Sequence, residues 1–237
     1  MKFARSLCCL VLTVGLAPLT AAQAPADSRP DPDLERVLSQ MDSAAADFRT
    51  TEAGVVWDQY QKVVDERDTQ KGKVYFRRAG NEIQMAADFT EPDRKYVLFT
   101  DSKVQVYQPR IEQVTVYNTG KNREEFESFL VLGFGGRGHD MLKSFNVKYL
   151  GREKVDATDT AQLELVPKAA KIRNNVDRIV LWIEAARGIS VQQQCFFGNS
   201  GDYRLAKYSD IKVNEKIPDA TFKLKTTGKT KFVSPQG

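Results

Sequence analysis

Cysteine and histidine are almost missing from this chain: its 237 residues include three cysteines and one histidine. Cys8 and Cys9 lie inside an apolar N-terminal run, too early and too poorly matched to their neighbours for a lipid-attachment site. The body of the chain keeps only Cys195, so it can form no internal disulfide. Beside Phe196 and Phe197 in a strand-like stretch, Cys195 reads as a small buried apolar residue rather than a reactive thiol. His139 alone, with scattered carboxylates, does not make a metal site, and no paired nucleophile stands beside it for a triad. Charge of one sign is also lacking. The formal net charge is +4, of which Lys2 and Arg5 carry two, and this is too little to argue for nucleic acid. There is no internal repeat. These absences leave no expected cofactor, metal or catalytic residue, and the enzyme alternative is a secreted hydrolase working through His139.

The one long apolar run is at the start. Lys2 and Arg5 precede Leu7–Leu19, and small residues follow at Thr20–Ala24. This is the layout of a secretory signal peptide over residues 1–22, cut after Ala22 or, failing that, after Ala26. Gly15 and Pro18 interrupt the run and argue against a membrane-spanning helix. Residues 23–30 read as a Pro/Ala/Asp linker, expected to be disordered, and 31–237 as a single domain. Composition (41% apolar, 28% charged) is that of an ordinary soluble protein.

Periodicity divides the domain. Leu34, Val37, Leu38, Met41, Ala45 and Phe48 recur at spacings of three and four, which predicts a helix capped by Asp31 or Asp33 and ending near Asp47. Beyond it the period becomes two. Strands are expected at Val55–Val64, Gly72–Arg78 and Asn81–Phe89, with a charged turn at Asp65–Lys71. The stretch Leu98–Tyr117 follows as two short strands and the start of a third, with turns at Asp101–Lys103 and Gln108–Arg110. Arg123–Phe134 and Asp140–Phe145 break the alternation and predict two short helices around a Gly-rich loop. Strands are then expected at 147–151, 161–166, 176–184, 189–197, 203–213 and 221–225. Consecutive hairpins without βαβ alternation predict an α+β fold built on one large curved antiparallel sheet of about ten to eleven strands. Gly133–Gly138 formally matches a dinucleotide loop but follows a helical rather than a strand pattern, so a lid hinge fits better.

Several pieces, taken in order, resemble the LolA family of periplasmic outer-membrane lipoprotein carriers. They are the amphipathic helix ending in Asp47-Phe48, then Gly72–Arg78, the turn Thr100–Lys103, Val106–Pro109 with Glu112–Val114, Leu165–Lys168 and Ile179–Ile183. Together they span nearly all of the chain after the signal segment. Ser102 stands where the family's turn usually has glycine, and the C-terminal tail is short and basic (Lys223, Lys225, Lys229, Lys231). The resemblance implies an incomplete antiparallel β-barrel closed by a helical lid over an apolar cavity that takes acyl chains.

It also implies a non-enzymatic, monomeric periplasmic carrier or chaperone that moves lipoproteins from the inner to the outer membrane. Its partners would be acylated lipoproteins, an inner-membrane ATP-driven lipoprotein-releasing transporter and an outer-membrane acceptor. The alternative is a lipid- or glycolipid-binding sensor or structural module of the same fold. The expected cavity residues are Val74, Phe76, Arg78, Ile83, Met85, Phe89, Val104, Val106, Val114, Val116, Phe129, Leu132, Phe134, Met141, Leu142, Phe145 and Trp182. Arg78 aligns with the family's cavity arginine, which implies a latch to lid carbonyls. The residues lend this partial support, since Arg78 shares its face with Val74 and Phe76; the lesser alternative is an exposed arginine at a strand end.

Overall fold

The computed structural model describes residues 31–80, 82–118, 132–198 and 200–235. The expected signal segment, the linker and most of the first short lid helix, Phe129 included, lie outside these.

Helix α1 spans Pro32–Asp47. The Asp31 carboxylate accepts from the backbone N–H of Asp33 and Leu34, and Pro32 occupies a position that needs no donor. Its stripe of Val37, Leu38, Met41 and Ala45 is buried. The strands are β1 Thr50–Gln61, β2 Glu66–Ala79, β3 Glu82–Glu91, β4 Lys95–Thr100, β5 Lys103–Gln108 and β6 Gln113–Asn118. A second short helix, α2 (Gly138–Ser144), leads into β7 Phe145–Val155 and β8 Thr158–Pro167. A single helical turn, α3 (Ala170–Arg173), precedes β9 Arg178–Glu184, β10 Ile189–Phe197, β11 Asp202–Val213 and β12 Lys231–Val233.

All twelve strands form one open, curved sheet in the order β12-β6-β5-β4-β3-β2-β1-β11-β10-β9-β8-β7. Every neighbouring pair is antiparallel except β12 with β6. The outer strands β12 and β7 do not meet, so the barrel is incomplete.

The twelfth strand exceeds the expected count. It is a three-residue piece, too short to show a period, that covers the exposed edge of β6. Thr221–Lys225, expected as a strand, is instead a 3-10 turn at Asp219–Phe222 followed by irregular chain. Its apolar residues Phe222 and Leu224 pack onto the outer face of the sheet, where Ile217, Ala86 and Leu98 meet them. The first hairpin turns at residues 62–65, earlier than Asp65–Lys71. Val63 and Val64 are therefore exposed, and the polar stretch from Glu66 continues β2 in register with β1.

On the inner face two buried clusters lie side by side. One joins α1 and α2 to β7–β9, through Leu38, Met41, Leu132, Met141, Phe145, Leu163, Leu181 and Ile183 among others. The other gathers Phe48 and Phe134 onto β1–β3. Gly138 permits the first of these contacts: a Cβ there would stand 2.4 Å from the Leu38 carbonyl oxygen.

Candidate functional site: an inner-face cavity and its cover

Antiparallel pairing fixes which side chains share a face. Phe76 opposes Met85, Met85 opposes Phe99 and Phe99 opposes Val104, so all four point inward. Val74, Ala87, Val97 and Val106 form a second inward row by the same logic. On the other side of β2, Gly72 opposes Val55 and Gln70 opposes Trp57. Across the central seam Trp57 opposes Ala206, and Gln59 opposes Arg204.

These rows line a cavity of about 470 Å³ on β1–β5, β10 and β11. Its walls include Val55, Trp57, Val74, Phe76, Met85, Phe89, Val97, Val104 and Tyr208. The volume lies within the ~300–1,000 Å³ of small-molecule sites. At one end the lining is polar: Gln59, Gln70, Lys95, Gln193 and Arg204. Trp57 and Phe89 pack edge to face with ring centroids 5.7 Å apart.

Five of the expected residues line this cavity: Val74, Phe76, Met85, Phe89 and Val104. Ile83 belongs to the adjoining buried cluster, and Val106 shares the inward row without reaching the lining. Phe134 is fully buried as a plug, stacked on Phe76 at 4.7 Å and edge-on to Tyr208 at 4.8 Å. Leu132, Met141, Leu142 and Phe145 pack with α1 over β7–β9 and do not reach the cavity. Phe129 lies outside the described residues.

Three expected wall residues are corrected. Val114 opposes Tyr107 and Val116 opposes Gln105, which places both on the outer face, away from Val104 and Val106. The four-residue connection 109–112 between Gln108 and Gln113 sets this parity. Trp182 also points outward. It packs with Val180 and Val191, and its indole N–H donates to Glu153 at 2.8 Å, whereas Leu181 and Ile183 face inward.

Arg78 sits at an exposed end of β2 and not inside the cavity. Its guanidinium donates to the carbonyls of Gly135 (2.9 Å), Phe48 (3.3 Å) and Ala45 (3.4 Å). The last turn of α1 holds no basic residue, so Arg78 supplies the positive charge that the helix C-terminus lacks. Asn214, at the end of β11, completes this cap by donating to the Asp47 carbonyl and accepting from the Arg49 N–H. Gly135 fits here because a Cβ would stand 2.3 Å from the Phe48 ring, and its φ of +78° suits glycine.

The imidazole of His139 bridges two α1 carboxylates, at 2.7 Å to Asp42 and 3.1 Å to Glu35. The Asp42 contact, then the Glu35 contact, hold the His139 pKa above its usual value. Burial alone would raise the Asp42 pKa, but its hydrogen bonds from His139 outweigh this and lower it. Burial pushes the Cys195 thiol up to about 11, the behaviour of an inert sulfhydryl. Burial also raises the Tyr208 phenol and lowers the Lys95 ammonium. Among the described residues, no group of three or more His, Cys, Asp and Glu side chains could hold a metal ion.

Val55, Trp57, Val97, Tyr208, Lys95 and Arg204 line the cavity without having been expected there. The signal for Trp57 was available, since Val55, Trp57 and Gln59 alternate within one expected strand.

A single open sheet with helices on its inner face defines a class, that of half-barrel binding folds. The chain belongs to the LolA family: residues 54–225 match the model of the outer membrane lipoprotein carrier protein LolA. Among solved structures it is similar to an uncharacterized conserved protein from Thermus thermophilus. That likeness has 11% identity and a TM-score of 0.55, covering 85% of this chain and 99% of that one. MucB is similar at 9% identity and a TM-score of 0.52, over 82% of this chain and 64% of MucB. The Mycobacterium tuberculosis lipoprotein LppX is matched at 14% identity and a TM-score of 0.48, over 80% of this chain and 99% of that one. At these identities the first two likenesses bear on the fold alone. Comparison with curated proteins finds no match.

Proposed function

We propose that this protein is a periplasmic carrier that shelters the acyl chains of lipoproteins in the inner-face cavity and moves them from the inner to the outer membrane. Residues 1–22 would direct export and be removed. The observation that carries the reading is the pairing of a cavity with a local cover. Phe134 fills the space over Phe76 and Tyr208, and a few hydrogen bonds from Arg78 hold that cover down.

Each CH₂ kept from water is worth roughly 0.8 kcal/mol. A chain passing from a membrane to the cavity, however, trades one apolar environment for another. The net driving force is small, so modest differences in closing the cover set the direction of transfer. Loading against the membrane then needs outside energy, from an inner-membrane ATP-driven transporter, and unloading needs an outer-membrane acceptor. No catalytic chemistry is required.

Native mass spectrometry of protein purified from the periplasm tests this directly. Co-purified acylated lipoprotein is expected. Bound free lipid or glycolipid without any lipoprotein would replace the carrier with a sensor or structural module of the same fold.

A further inference from the structure

Several cations of the outer face are paired with acids, and two at the polar end of the cavity are not. On the outer face Arg67, Lys73, Arg94 and Arg178 each contact a carboxylate within 4.0 Å. On the inner face, at the polar end of the cavity, Lys95 and Arg204 have no such contact among the described residues. Lys95 donates to the Gln70 side chain and lies 4.9 Å from the Phe89 ring centroid. The exposed Arg204 guanidinium lies over the Trp57 ring, 5.9 Å from its centroid, and over the Phe197 ring at 4.8 Å. The two cations therefore flank the Trp57 level of the cavity from opposite sides. The nearby acid is Asp68, which already accepts from Gln70.

A half-buried ammonium without a counter-ion is costly, and a guanidinium that packs over aromatic rings with no carboxylate beside it keeps its donors for an incoming acceptor. An apolar cavity that ends between two such groups is complementary to an amphiphile with an anionic head. We infer that the cavity binds a phosphate-bearing acyl lipid, its chain against Trp57, Phe89 and Val97 and its headgroup between Lys95 and Arg204. This inference rests on the reading that the cavity accepts acyl chains, and it names a ligand class beyond protein-linked ones.

The test uses the full mature chain and the neutral fluorophore N-phenyl-1-naphthylamine as the cavity probe. Two competitors share one myristoyl chain: lysophosphatidic acid and monoacylglycerol, both below their micellar concentrations. Lysophosphatidic acid is expected to compete at least about tenfold better in low salt, since hydrogen bonds to charged groups are the strong ones. The advantage should shrink as salt rises. In K95Q/R204Q the ratio of the two affinities should fall to within about twofold, whereas the outer-face variant K73Q should keep it. The ratio is the readout, because general damage to the fold weakens both lipids together. Equal competition by the two lipids in the wild type, or an unchanged ratio in K95Q/R204Q, overturns the headgroup site while leaving the acyl cavity standing. Displacement by neither lipid removes the acyl cavity itself. Inorganic phosphate that abolishes the advantage at matched ionic strength would make this a site for the free anion and overturn the lipid assignment.

Discussion

The two halves of the inner face carry similar apolar side chains but cover them differently. Over β7–β9, α1 and α2 bury Leu163, Leu165, Ile179, Leu181 and Ile183 until none is exposed. Over β1–β5 the cover among the described residues is Phe48, Phe134 and a rim arginine, and a cavity of about 470 Å³ lies beside them. One half is a core in the ordinary sense. The other is a surface on which the described cover leaves a cavity with one polar end. One continuous sheet can thus carry a closed core and an open cavity when the described helices pack over one side of it.

The sharpest way to break this contrast is Leu181→Ala. In a closed core it should cost about 2–5 kcal/mol, read as a lowered urea midpoint, whereas Val104→Ala on the cavity side should cost under about 1.5 kcal/mol. Equal costs would mean that both halves are packed alike. Next in size is Phe134→Ala, expected to destabilise by about 3 kcal/mol and to increase binding of a neutral fluorescent probe by enlarging the cavity. Lost stability without a gain in probe signal would make Phe134 plain core.

Arg78→Leu should have a smaller effect, about 1 kcal/mol, because its hydrogen bonds lie at an exposed rim. Its sign is informative. Binding should persist while release to an acceptor membrane slows, since the closed empty state is the one weakened. Unchanged transfer would remove Arg78 from the cover.

The smallest expected effect concerns pH. The raised pKa of His139 means that its contribution is fully present below about 6.5, its ordinary value, and is lost as pH rises through the folded-state value. The lowered pKa of Asp42 means that its share is present above about 3.8 and lost as pH falls further. The clamp between α1 and α2 should therefore be strongest between these limits. The melting-temperature difference between wild type and His139→Gln should shrink from pH 5 to pH 8, and stay equivalent to less than about 1 kcal/mol throughout, as exposed ion pairs do. A difference that grew with pH would contradict the assigned contacts.

Much of the framework could be read from local chemistry. Asp31 before Pro32 starts α1, and alternation marks most of the strands, because caps and faces are written within a few residues. The cavity was less legible. Alternation says that a strand has two faces but not which one points inward, and here both faces are apolar. The tail residues Ile217 and Phe222 cover the outside of β3 and β4, so Leu98 there looks no different from Phe99 on the inside. Val114 and Val116 were misplaced for that reason, and Trp182 was lost in a strand buried on both sides. Lys95 and Arg204 reach one cavity only through the pairing of five strands, β4-β3-β2-β1-β11. No run of sequence brings them close.

That pairing of β1 with β11 has a consequence for the order of assembly. The strands β2–β6 and β7–β10 are chains of neighbouring hairpins that each can zip up as soon as their own residues are available. The seam between them joins opposite ends of the chain and must wait for both. Until β11 arrives, β1 and β10 would each present a long unpaired edge, the most adhesive state this molecule can pass through. A chain that emerges N-terminus first therefore has its riskiest moment late, and a truncation just before Asp202 would trap it there.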